Sequence, residues 1–137
     1  MAVKLFYLAI LLRKKKLYMF SFILEKLLRH LYNCELHSSM IVGNGLQLPH
    51  NGLGVVINPN SIIGNNVKIH QNVTIGGREG SGCPVIEDDV LIGAGAKVLG
   101  DIRVGCRAKI GANAVVLQNV PADSIAVGVP AIIKYKK

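Results

Sequence analysis

The chain has no tryptophan, few aromatic side chains, and only 8 acidic residues against 16 basic ones. Without large rings a core must be filled by smaller apolar groups. Ile, Val, Leu and Ala supply them, beside 15 Gly, in a chain of 137 residues that is 50% hydrophobic. Such apolar content excludes a disordered tail, and the length suits about one domain. The mixture fits many short, tightly turned strands better than a helical bundle. Cysteine is scarce as well. Cys34, Cys83 and Cys106 are odd in number and form no close pair, which excludes a disulfide framework and a CxxC metal motif. A reduced, cytoplasmic protein is expected. The shortage of acid leaves a net charge of +8, which favours an anionic partner such as a membrane surface or a phosphorylated cofactor. Nucleic acid is not expected, because no recognition helix or aromatic platform accompanies that charge.

Long hydrophobic runs are missing too. Apolar stretches from Leu5 to Leu12 and from Leu17 to Leu24 flank Arg13, Lys14, Lys15 and Lys16. Each is far shorter than the ~20 residues of a transmembrane helix. The charges follow the first run and no small-residue cleavage site appears, so a signal peptide is not expected. From Leu17 onward the spacing predicts a helix. Phe20, Ile23, Leu24, Leu27, Leu28 and Leu31 share one apolar face, Glu25, Lys26 and Arg29 lie opposite, and Glu25 is placed to pair with Arg29. That face would pack on the rest of the protein or on a sister subunit. The alternative is peripheral membrane contact through the basic cluster.

What is present in abundance is a repeat. Ile57, Ile63, Ile69 and Ile75 recur every six residues, and the spacing resumes at Ile86, Ile92, Val98, Val104, Ile110 and Val116. Four residues after these come Ser61, Val67, Val73, Val90, Ala96, Ile102, Ala108, Ala114 and Val120, all small or apolar. A period of six fits neither an α-helix nor a simple amphipathic strand. It fits a triangular solenoid with one short strand per side, the Ile/Val side chains stacking inward from coil to coil. Gly or Asn takes the corners, for which Asn65, Asn66, Asn72 and Asn113 are suited. The expected fold is an all-β solenoid, a left-handed parallel β-helix of hexapeptide repeats with a short N-terminal helical segment. The expected boundaries are a helical segment at residues 1–33, the β-helix at 34–133 and a basic tail at 134–137.

The period breaks twice. Between Ile75 and Ile86 five extra residues make a loop around Gly76 to Pro84, and the phase slips around His50, Asn51, Gly52, Leu53 and Gly54. A solenoid tolerates insertions as excursions from its corners, where sites tend to be built.

The segments HQNVTIGG (His70 to Gly77), IGAGAKVLGDI (Ile92 to Ile102), AKIGANAVV (Ala108 to Val116) and AVGVPA (Ala126 to Ala131) resemble those of serine acetyltransferases. They are equally similar to the related acetyltransferases of capsular and exopolysaccharide sugars. The likeness runs from about Glu35 to Ile133. It implies a homotrimer, acetyl-CoA in the groove between neighbouring coil stacks, and direct acetyl transfer to a hydroxyl. His50 matches the family's catalytic histidine and Glu35 the acidic partner that orients it. Gly76, Gly77, Ala94, Gly95, Lys109 and Ala112 match positions lining the cofactor groove, and no metal is implied.

The residue types suit that chemistry. An alcohol attacking a thioester needs a base within hydrogen-bond reach, and histidine titrates near neutrality. A carboxylate on its other nitrogen fixes the tautomer. The oxyanion needs donors, for which the backbone N–H groups of Gly76 and Gly77 are candidates. His70 is a rival base, Glu35 could instead cap the solenoid, and Lys109 could contact a CoA phosphate or simply be solvated. Cys83 has nothing beside it to activate a thiolate.

Three departures bear on the acceptor. Pro49 stands where serine acetyltransferases carry Asp before the catalytic histidine, and Gly82-Cys83 stand where they carry Arg-His before the loop proline. Their long helical N-terminal domain is reduced here to about thirty residues. These point to a sugar hydroxyl of a surface polysaccharide or its precursor as acceptor, with L-serine as the alternative, and to work near the inner face of a membrane. Readings from other classes are a non-catalytic scaffold and a zinc enzyme of γ-carbonic-anhydrase type, whose ligands would be His37, His50 and His70.

Overall fold

Each hexapeptide folds as a strand of two to four residues and a tight turn, and three of them make one coil. The computed structural model describes residues 1–135. Three parallel faces result. The first stacks Ile41–Val42, Ile62–Ile63, Val85–Ile86 and Arg103–Val104. The second stacks Lys68–Ile69, Leu91–Ile92, Lys109–Ile110 and Ser124–Val127; the third, Val56–Ile57, Thr74–Gly76, Lys97–Leu99 and Val115–Val116. The architecture is the left-handed parallel β-helix.

Register reads out the coil length directly. Leu91 pairs with Lys109, eighteen residues on, as do Val85 with Arg103 and Lys97 with Val115. Pairs that span the Gly76–Pro84 loop, such as Thr74 with Lys97, are five residues further apart. Pairs across the first break, Glu35 with Val56 and Gln47 with Lys68, are longer by three. Both excursions leave the ladder above and below them intact.

All ten Ile/Val positions of the repeat are at most 1% exposed, and the small residue four places on is buried in every coil. Stacked coils approach closely at the turns. A Cβ on Gly93 would lie 2.6 Å from the Ala112 nitrogen and 2.8 Å from the Gly111 carbonyl carbon, so only glycine fits there. Asn66, Asn72 and Asn113 adopt the left-handed conformation expected at corners. Asn65 does not. Its amide oxygen instead accepts from the Asn44 N–H at 2.9 Å, and its own N–H donates to Asp88 at 2.7 Å. The last strand, Ile132–Tyr135, pairs antiparallel with Ser124–Val127. Lys134 and Tyr135, assigned to the basic tail, are therefore ladder residues, while Lys136 and Lys137 lie outside the described residues.

One electrostatic clamp ties adjacent coils on the first face. Glu87 accepts from Arg103 Nη1 at 2.6 Å and from the Cys106 N–H at 2.9 Å. These bonds, the arginine foremost, hold the Glu87 carboxyl below its ordinary value. A depressed folded value contributes stability above the unfolded value near 4.5, and the contribution is lost as pH falls through the folded value. Thermal melts of Arg103→Ala should therefore show a loss of up to about 1 kcal/mol near neutral pH, which vanishes once Glu87 is protonated.

The N-terminal residues form a helical hairpin, α1 (Ala2–Lys14) and α2 (Tyr18–Tyr32). Helix α1 buries Ala2, Phe6 and Ala9, and Tyr7 donates to the Gly43 carbonyl at 2.6 Å. Helix α2 docks differently from its sequence pattern. Ser21 and Leu28 are its buried residues, whereas Phe20, Ile23, Leu27 and Leu31 are exposed. Glu25 does not pair with Arg29. It turns inward, accepting from the Ser38 N–H at 2.7 Å and approaching His37 Nε2 at 3.6 Å. Ser21 donates to the Ala9 carbonyl at 2.9 Å and bonds Ser38 Oγ at 2.8 Å. Polar groups thus make the joint, and Glu25 supplies the acceptor that the Ser38 N–H needs once it is buried.

Candidate active site

The edge where the second face turns into the third collects half of the sequence-derived site residues. The Asn113 N–H donates to the Ala94 carbonyl at 2.8 Å and the Gly95 N–H to the Gln71 carbonyl at 2.9 Å, so Gln71, Ala94, Gly95 and Ala112 stack at neighbouring levels. Gln47 pairs with Lys68 and Val56 with Thr74, which places the three extra residues of the first break between Gln47 and Val56, at the head of this edge. His50 sits in that excursion.

A short 3₁₀ segment, Pro49–Gly52, carries it, with His50 (φ 55°) and Asn51 (φ 55°) both left-handed. Proline at the first position presets its own φ, and glycine at the end admits the close approach of Cys34 Sγ. The Asn51 side chain is held from the helical hairpin: the Met1 ammonium donates to Asn51 Oδ1 at 2.8 Å. The His50 ring is exposed and has no hydrogen-bond partner among the described residues. A fixed backbone under an unengaged imidazole leaves both ring nitrogens available to a substrate and an orienting group.

Glu35 is tied to the same neighbourhood through its backbone. Its N–H donates to the Val55 carbonyl at 2.8 Å, and its carbonyl accepts from Ile57 at 3.1 Å. Its carboxylate does not meet His50. It lies 3.6 Å from Arg29 Nη1 of α2, and both side chains are more than half exposed. The sequence pattern paired Arg29 with Glu25, so the competitor for Glu35 was hidden by the same docking shift that turned Glu25 inward.

Gly76 and Gly77 stand at the other edge of the third face, where the five-residue loop leaves the coil. Gly76 is buried and its carbonyl accepts from Gly100 at 2.9 Å, while Gly77 is exposed and its N–H has no acceptor among the described residues. A Cβ on Gly76 would find only the Asn58 Cβ, at 3.6 Å, so the packing there leaves room for a methyl group. Lys109 is exposed on the second face. Within one chain, then, His50 and the two glycines bound opposite edges of one face.

Sequence reasoning passed over Gln71. Its Oε1 is buried without a partner, at the edge that carries Ala94 and Gly95. The only trace in the sequence is a polar residue between His70 and Asn72, and nothing in the period marks it. A concavity of about 650 Å³ lies elsewhere, on the outer side of α2. Cys34 is buried, which pushes its thiol up to about 12, so it has no nucleophilic role. Among the described residues no group of three or more His, Cys, Asp or Glu is placed to hold a metal ion.

The family model for bacterial transferase hexapeptide (six repeats) matches residues 83–118. A serine acetyltransferase of Staphylococcus xylosus is 44% identical over 125 residues, covering 89% of this chain and 57% of the relative. Serine acetyltransferase from Brucella abortus strain S19 superposes with a TM-score of 0.90 at 37% identity, over 99% of this chain and 56% of that one. A serine acetyltransferase solved as a complex with CoA gives 0.87 at 37% identity, over 97% and 55%. The chain thus spans a little over half the length of the relatives it matches. These likenesses overturn the expectation of a polysaccharide sugar as acceptor. That expectation weighed Pro49 and Gly82-Cys83, changes at a few positions, against a scaffold whose sequence and course follow serine acetyltransferases along the whole solenoid.

Proposed function

From its likeness to serine acetyltransferases along the whole solenoid we propose that this chain is a serine acetyltransferase-like hexapeptide-repeat transferase that transfers acetyl from acetyl-CoA to the hydroxyl of L-serine. The observation that carries the reading is the 44% identity to a serine acetyltransferase over 125 residues. His50 is the general base. It removes the serine hydroxyl proton as the oxygen attacks the thioester carbon. The tetrahedral oxyanion is met by the unoccupied N–H of Gly77, and collapse expels the CoA thiolate, which takes the proton back from the imidazolium. No acyl-enzyme forms.

Glu35 orients the imidazole after leaving Arg29. An exposed ion pair of this kind is worth about 1 kcal/mol or less, so the exchange costs little. The separation of His50 from Gly77 across the third face supports a homotrimer, in which the Gly77 edge of one copy meets the His50 edge of the next. Ala94, Gly95 and Ala112 keep the groove shallow enough for a pantetheine arm, and Lys109 offers a charge to a CoA phosphate.

Thiol release from acetyl-CoA by the purified protein tests this. Release that depends on L-serine, together with a higher melting temperature in acetyl-CoA alone, is the expected outcome. Failure of acetyl-CoA to bind would leave a non-catalytic scaffold and refute the reading.

A further inference from the structure

The helical hairpin holds three quarters of the protein's charge imbalance. Residues 1–33 contain seven basic side chains and one acid, Glu25, and so six of the eight net positive charges. Residues 34–135 are balanced, with seven of each sign, and the remaining two charges are Lys136 and Lys137. A surplus spread for solubility would not stop at the boundary of the solenoid.

The same hairpin exposes its apolar side chains. Leu17, Tyr18, Met19 and Phe20 are 43–67% exposed at its tip, directly after Arg13, Lys14, Lys15 and Lys16. Along α2 the exposure continues through Phe22, Ile23, Leu27 and Leu31. This side is grooved, with Lys26, Arg29 and His30 along it. Basic groups lie over rings here, Lys26 Nζ 4.9 Å from the Phe22 centroid and Arg13 Cζ 5.6 Å from that of Tyr18. Among the described residues no helix is long and apolar enough to cross a membrane.

We infer that the outer side of this hairpin is a docking surface for an anionic lipid bilayer, on which α2 lies in the interface plane. Its aromatic and aliphatic side chains enter the acyl boundary while Arg13 to Lys16, Lys26 and Arg29 meet the headgroup charge. A second copy of the chain is a poor occupant for the same face. Two such hairpins would bring seven basic side chains against seven, and the one acid of each, Glu25, is turned inward onto the Ser38 N–H. The inference is independent of the acceptor and of acetyl transfer.

Co-sedimentation of the whole chain with vesicles tests it, comparing phosphatidylcholine alone with phosphatidylcholine mixed with phosphatidylglycerol. Sedimentation is expected with the mixed vesicles only, weakening as salt rises. Changing Lys14, Lys15 and Lys16 together to Gln should lower the partition coefficient roughly a hundredfold, since each surface cation contributes about a factor of five. Met19→Ser with Phe20→Ser should weaken binding without changing the melting temperature, because both residues are already more than half exposed. Binding to neutral vesicles that salt does not touch would overturn the inference. So would no sedimentation at all, or an assembly of hairpins that Phe20→Ser dissolves.

Discussion

On the proposed reading, replacing His50 with Asn should lower kcat for serine acetylation by about 10²–10⁴-fold, the range a positioned general base contributes. Asn is the informative substitution. His50 has φ 55°, a left-handed conformation that Asn tolerates and Ala does not, so the variant keeps the turn and loses only the base. The ring makes no hydrogen bond within the described residues, and the melting temperature should move by no more than an ordinary surface change, about 0.5 kcal/mol. KM for acetyl-CoA should hold, because proton abstraction belongs to the transition state and not to cofactor binding. A variant retaining most of its kcat would pass the role to another group, His70 being the rival named by the sequence.

Ile92→Ala is the structural counterpart. Ile92 is fully buried in the second face and stacked between Ile69 and Ile110. Truncating it removes about three methylene equivalents from a core with nothing loose enough to refill the space. The cost should be roughly 2–5 kcal/mol, or about 8–20 °C in melting temperature for a domain of this size. Each coil touches only its neighbours, so the damage cannot be shared across the solenoid. Ile62→Ala is the contrast. That side chain faces outward at 37% exposure, and its loss should be much smaller. Equal effects would mean that the inward and outward phases of the repeat are misassigned.

The solenoid was legible because its period is a ruler written into the covalent chain. A coil closes every eighteen residues, the side chain at one phase of six has nowhere to point but inward, and the two breaks in phase correspond to the longer pairings at Thr74–Lys97 and Gln47–Lys68. The site was legible only where it borrowed that ruler. The alignment of Ala94 with Ala112 follows from it, and so does the excursion at His50. What the pattern could not reveal was set by contacts between elements. The stripe of Phe20, Ile23, Leu27 and Leu31 looked like a packing face, yet the joint is made by Ser21, Glu25 and Leu28, with Glu25 accepting from the Ser38 N–H. That rotation freed Arg29 to hold Glu35. The Met1–Asn51 bond and the unsatisfied Gln71 oxygen are likewise products of tertiary placement. The acceptor was misread for another reason. Pro49 and Cys83 remove charged groups from known positions, and an absence at two positions carried more weight than the likeness of the remaining solenoid.

The decisive measurement is identification of the product by mass spectrometry after incubating the protein with acetyl-CoA and L-serine. O-acetyl-L-serine should accumulate in step with free CoA in wild-type protein and fall by orders of magnitude in His50→Asn. Free CoA without O-acetyl-L-serine, or equal product from the variant, would contradict a serine acetyltransfer run by His50.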